Sequence, residues 1–306
     1  MFFTPPTTPP IKPPVITVWI HGTKVDECLP TPFAKIAKAL APIIFEHKPG
    51  INPIASFNQH HYEFIRAQVL GTTMPSVFNQ DNFYVFGWSG KLNLAARKQA
   101  AHDLFCALKP IVTKHRETYG VDPDIILISH SHGGNVILHL AEITDPDGFS
   151  LHINKAILLA CPVQKHTNHL ISSKTFDRIY SIHSHTDVIQ IVDPQGLHIK
   201  NKFTRPLLSC RHFDAHPKLA QVAIKWKQGP ILHLDDRIAN EILLKNLTKS
   251  LKAINYLKKN RGLFHIEFQL LPFMRQLPGI IILIDELFET NANCQSHKDH
   301  DIVIEL

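Results

Sequence analysis

The 306-residue chain lacks any C-x-x-C pair; its five cysteines, Cys28, Cys106, Cys161, Cys210 and Cys294, are odd in number and scattered. That argues against a disulfide framework and for a reduced, cytosol-type thiol set. Long hydrophobic runs are missing too. The most apolar late stretch, Gly279 to Ile284, is far too short to span a bilayer and meets Asp285 and Glu286 at once. The N-terminus has no basic segment followed by an apolar one, so no conventional secretory signal is expected. A soluble, cytoplasmic protein is the expectation. Charge of one sign is scarce: 32 Lys and Arg stand against 26 Asp and Glu, a net of +6. No basic stripe with interleaved aromatics accompanies it, so no nucleic-acid partner is expected, and the excess reads as surface charge. No internal repeat is visible.

What is present is an alternation of strand and helix signals, which predicts an α/β fold of three layers with a mostly parallel sheet. Residues 1–14 are a proline-rich lead-in that cannot form a helix. The unbroken β-branched run 15–20 suits a strand buried on both faces. Further strands are predicted at 82–86, 125–128, 156–160, 178–183 and 222–226. Helices are predicted at 32–45, 94–119, 135–142 and 235–257. Residues 15–261 form the expected main domain, with 48–80 a possible cap insertion on the substrate side. Residues 262–306 read as a C-terminal extension that packs on the core.

The chemistry centres on Ser129-His130-Ser131-His132-Gly133-Gly134, between an apolar strand and a helix. Small residues two positions either side of a serine let strand and helix approach at a strained turn, the geometry of a nucleophile elbow, here with Ser129 in place of the first glycine. Ser131 is the candidate nucleophile. His21-Gly22-Thr23 ends the first strand, where Gly22 lets the backbone pass close to a substrate. The N–H groups of Thr23 and His132 are candidates for an oxyanion hole, with His21, Gly22 and Gly133 supporting that side.

In chain order, a carboxylate should follow a strand after the elbow. Asp187 fits, and Asp193 is its rival; Asp177 precedes the strand and fits poorly. The base should be a histidine after the last core strand, and among 21 histidines position selects His233; His212 and His216 precede that strand. His-x-His pairs at 130/132 and 183/185 lack the helical spacing of a zinc protease, and neither metal nor cofactor is expected.

Val15–Thr23, Ser129–Gly134, Asp187 and His233 together resemble the α/β-hydrolase superfamily, in particular its lipase- and esterase-like members, over roughly residues 15–257. The resemblance implies the α/β-hydrolase fold and hydrolysis of a small acyl ester or lipid through a covalent acyl-enzyme, with a Ser-His-Asp triad. Ser129 departs from the usual glycine. The short stretch between Ser131 and Asp187 leaves little room for a large lid there, which favours a simple esterase, a thioesterase or an amide-hydrolysing relative. The alternative from another class is a non-catalytic binding protein on a hydrolase scaffold, with residues 1–14 and 262–306 serving an unknown protein partner.

Overall fold

The computed structural model describes residues 14–23, 47–185, 187, 190, 210–225, 263, 265–291 and 302–306. The predicted helices at 32–45 and 235–257, almost all of the proline-rich lead-in, and the candidates Asp193 and His233 lie outside the described residues. Within them, eight strands form one sheet: β1 (Val15–Ile20), β2 (Gly50–Pro53), β3 (Phe83–Gly87), β4 (Asp124–His130), β5 (Ile153–Leu159), β6 (Phe176–His183), β7 (Leu219–Lys225) and β8 (Ile302–Glu305). Their order is β2-β3-β1-β4-β5-β6-β7-β8. Every pairing is parallel except that of β2 with β3.

Among the described residues four α-helices cover the sheet: α1 (Tyr62–Thr73), α2 (Leu94–Tyr119), α3 (Gly133–His139) and α4 (Leu271–Asn291). Strand alternation divides the core between two faces. Ile16, Val18 and Ile20 of β1, with Ile125 and Leu127 of β4, pack under α2 and α3. Val15 and Trp19, with Ile126 and Ile128, face the opposite way, where Ala67 and Leu70 of α1 meet Phe273, Met274, Leu277 and Ile281 of α4. The molecule is therefore a three-layer α/β structure, and continuous apolar runs such as 125–128 are what a strand covered on both faces requires.

α2 begins where Asn93 Oδ1 accepts the Ala96 N–H at 2.7 Å, and it ends at Gly120, whose φ of 71° is the left-handed cap that glycine takes without cost. α3 starts at Gly133, two residues earlier than the periodicity suggests, and its last turn tightens to a 3-10 turn at Leu140–Glu142.

Residues 48–80 supply the edge strand β2 and helix α1. The described part of 262–306 supplies α4, docked by Asp285 onto Lys155 and the Tyr180 hydroxyl, and β8, which pairs with β7. That segment is built into both the core and the sheet.

From β1 the chain moves outward to β2 and β3, then crosses to β4 on the other side of β1. The carboxyl ends of β1 and β4 thus flank the switch point of the sheet, where open α/β sheets place their ligand crevice.

Candidate active site

β4 delivers Ser131. Its N–H donates to the Leu159 carbonyl at 2.8 Å, extending the β4–β5 ladder one residue beyond the strand, and its φ of 52° turns the chain sharply into α3. A non-glycine residue held in the left-handed region stores strain, and such strain gathers at functional positions. Ala160, after the adjoining strand, is the other non-glycine residue with positive φ among the described residues, at 50°.

The small neighbours are sterically required. A Cβ on Gly133 would stand 2.6 Å from the His21 carbonyl oxygen, and one on Gly22 would stand 2.9 Å from Ser131 Cβ. The end of β1 therefore runs directly against the turn at Ser131. Thr23 follows there, half-buried, with its hydroxyl enclosed and without a hydrogen-bond partner among the described residues. Ser129, fully buried, reaches the Ile157 carbonyl through its hydroxyl at 3.4 Å, which explains how serine substitutes for glycine.

The two histidines flanking Ser131 diverge. His132 turns its Nδ1 toward Arg97 (3.4 Å) and Asn135 (3.4 Å). Arg97, itself buried, also donates to the Leu92 carbonyl and to Gln164 Oε1, both at 3.0 Å. His130 turns the other way. Its Nε2 lies 2.7 Å from the carbonyl oxygen of His265, and the two rings meet at 4.6 Å. A carbonyl only accepts, so Nε2 carries the proton. Burial, aided by charge on the His265 side, holds His130 well below its ordinary value, so the ring is neutral.

Asp187 is buried in the loop after β6. Its Oδ1 accepts the Gln190 N–H at 3.1 Å, and its Oδ2 lies 2.7 Å from His265 Nδ1. Gln190 in turn donates to the Cys161 carbonyl at 2.8 Å, and Arg211 donates to the Asp187 carbonyl at 2.7 Å, so the loop is fastened from both sides. Burial lowers Arg211 from its usual value, with Asp187 pulling the other way.

His265 was not singled out from the sequence. Like His233 it follows the last strand then assigned, and no local pattern marks it. The loop holding Asp187, the turn at 265–269 and the turn around Ser131 come together, with His265 beside His130 and bonded to Asp187. Among the described residues Ser131 Oγ makes no hydrogen bond; catalytic pairs commonly close only around substrate.

Beneath β1 runs a second buried polar cluster. His21 binds the Gly22 carbonyl at 2.6 Å and stacks on His47 at 4.4 Å; His47 Nε2 lies 2.9 Å from Glu63 Oε1. Glu63 also pairs with Arg66, whose guanidinium lies 4.0 Å over the Trp19 ring. Burial alone would raise Glu63, but Arg66 and His47 overcome it and hold the carboxyl down at about 2.

No family model matches the chain, and no curated protein matches it. Among solved structures it is similar in part to siderophore hydrolase EstB from Aspergillus fumigatus, at 16% identity and a TM-score of 0.28, over 51% of this chain and 37% of that one. It is similar also to esterase PE8, at 12% identity and a TM-score of 0.31, over 58% of this chain and 72% of that one. The chain thus spans little more than a third of the first of these, and likeness at this level carries no argument about activity.

Proposed function

We propose that the protein is a serine hydrolase of carboxylic esters, with Ser131 as nucleophile, His265 as base and Asp187 as the orienting acid. The observation that carries this reading is the 2.7 Å bond between Asp187 and His265 Nδ1, which leaves Nε2 as the basic face of the ring, in a turn packed against His130, the residue before the strained serine. Ser131 Oγ attacks the acyl carbon while His265 Nε2 takes its proton. The oxyanion is received by the N–H groups of Thr23 and His132, and collapse returns the proton to the departing alkoxide. Water, deprotonated by the same imidazole, then releases the acid and regenerates the serine.

The substrate is a small acyl ester or lipid; a thioester or amide would follow the same steps. Gln190, Arg97 and His132 hold the surrounding loops, and the thiols Cys106, Cys161 and Cys210 suit a reducing compartment. Among the described residues no helix is long and apolar enough to cross a membrane.

The test is covalent labelling with a fluorophosphonate. Wild type labels and Ser131→Ala does not, while its circular dichroism is unchanged. Labelling that persists in Ser131→Ala rejects the nucleophile, and absence of labelling in wild type favours a binding protein on this scaffold.

A further inference from the structure

The turn that carries His265 is short and lies far along the chain from the strands around it, yet an imidazole misplaced by about 1 Å can cost roughly 100-fold in rate. Partners on three other segments of the chain hold its backbone. Leu263 N–H donates to Ser184 Oγ at 2.9 Å, at the mouth of the acid loop. His130 Nε2–H donates to the carbonyl of His265 itself at 2.7 Å. At the far end, the Tyr62 hydroxyl donates to the Gln269 carbonyl at 2.9 Å, with Arg66 3.5 Å from the same oxygen. The first lies beside the acid. The other two come from the residue preceding the nucleophile and from α1.

We infer that His130 and Tyr62 are positioning residues that clamp the two ends of the 265–269 turn, setting the distance from the His265 ring to Ser131. The inference rests on His265 being the base. His130 suits the task because burial keeps it neutral, so Nε2 stays a single-proton donor aimed at one carbonyl, and because it is covalently next to Ser131. Nucleophile and base backbone are thereby joined through one side chain: movement of the elbow carries the base with it. Tyr62 is fixed by its own surroundings, with its ring 4.9 Å from the Arg66 guanidinium and its hydroxyl held protonated, burial pushing it up to about 12. The ion pair of Arg66 with Glu63 thus serves to hold a donor in place as well as to bury charge.

Three variants of the full chain test the clamp: His130→Leu, which removes the donor; His130→Gln, whose amide N–H can reach the same carbonyl; and Tyr62→Phe, which deletes one hydroxyl. Turnover of a short-chain p-nitrophenyl ester is read together with the low-field proton resonance of His265 Nδ1–H, assigned by its absence in His265→Gln. The expected result is a fall in kcat of roughly 10- to 100-fold in His130→Leu with KM little changed, and a broadened resonance. Both recover in His130→Gln, and Tyr62→Phe shows a weaker version of the loss. Wild-type kcat and an unchanged resonance in His130→Leu overturn the inference. Where His130→Leu fails to fold, Tyr62→Phe decides by the same two readings. A broadened resonance in His130→Leu, with turnover undiminished in both that variant and His265→Gln, overturns it by a different route, because the base assignment beneath it has then failed.

Discussion

The two halves of the candidate site are built differently. The Ser131 half rests on one continuous stretch, strand β4, the turn at Ser131 and helix α3, against which the end of β1 and Cys161 pack closely enough to demand glycine at 133 and 134. The base half is assembled from distance. His265 meets Asp187 across 78 positions and His130 across 135. A half that rests on one continuous stretch needs few outside elements, here the ends of β1 and β5, whereas a half made by long-range hydrogen bonds depends on every element that supplies a partner.

The sharpest challenge to that contrast is removal of the distant half. Truncation after Asn260 deletes β8 and α4, and with them Phe273, Met274, Leu277, Ile280, Ile281 and Ile284, all at most 2% exposed. At about 2 kcal/mol per buried side chain the loss is on the order of 10 kcal/mol, comparable with the whole stability of a typical domain. The truncated chain should aggregate, as size-exclusion chromatography would reveal. A monodisperse product with wild-type circular dichroism would mean that the 262–306 segment is a separable module and would revive the binding-protein reading.

A smaller effect separates two histidines. Replacing His265 with glutamine should reduce kcat/KM toward short-chain esters by roughly 1,000-fold or more, the scale of removing a triad member. Replacing His233 in the same way should change it less than about twofold, because the proposed mechanism gives the proton transfers to His265. The reverse ranking would return the base to His233.

The gentlest probe is acid, because it acts on groups of both halves without mutation. His130 sits well below 6.5 in the folded protein and titrates normally when unfolded, so the unfolded state binds more protons below that pH. Its share of stability, present above about 6.5, declines as the pH falls. Glu63 is held at about 2 against 4.5, so its contribution is complete above 4.5 and drains away between 4.5 and 2. The urea midpoint should therefore fall in two stages from pH 7 to 3, and Glu63→Gln should flatten the lower one. A midpoint constant over that range would contradict both assignments.

The sequence by itself determined whatever depends on neighbours along the chain. Apolar runs with two buried faces specified the strands; α2 begins and ends at 94 and 119 as periodicity and its flanking Asn93 and Gly120 dictate. The small-residue spacing around Ser131 marked a tight turn in the chain itself, although the groups that make small residues necessary there, the His21 carbonyl and Cys161, lie on other segments. Asp187 could be chosen for its place after a strand. What only the tertiary structure decided is which imidazole meets Asp187, where the antiparallel edge β2 joins, and that 262–306 completes the sheet. These depend on contacts between segments far apart in the chain, and a histidine bonded to a distant carboxylate looks, along the chain, like any of the other twenty.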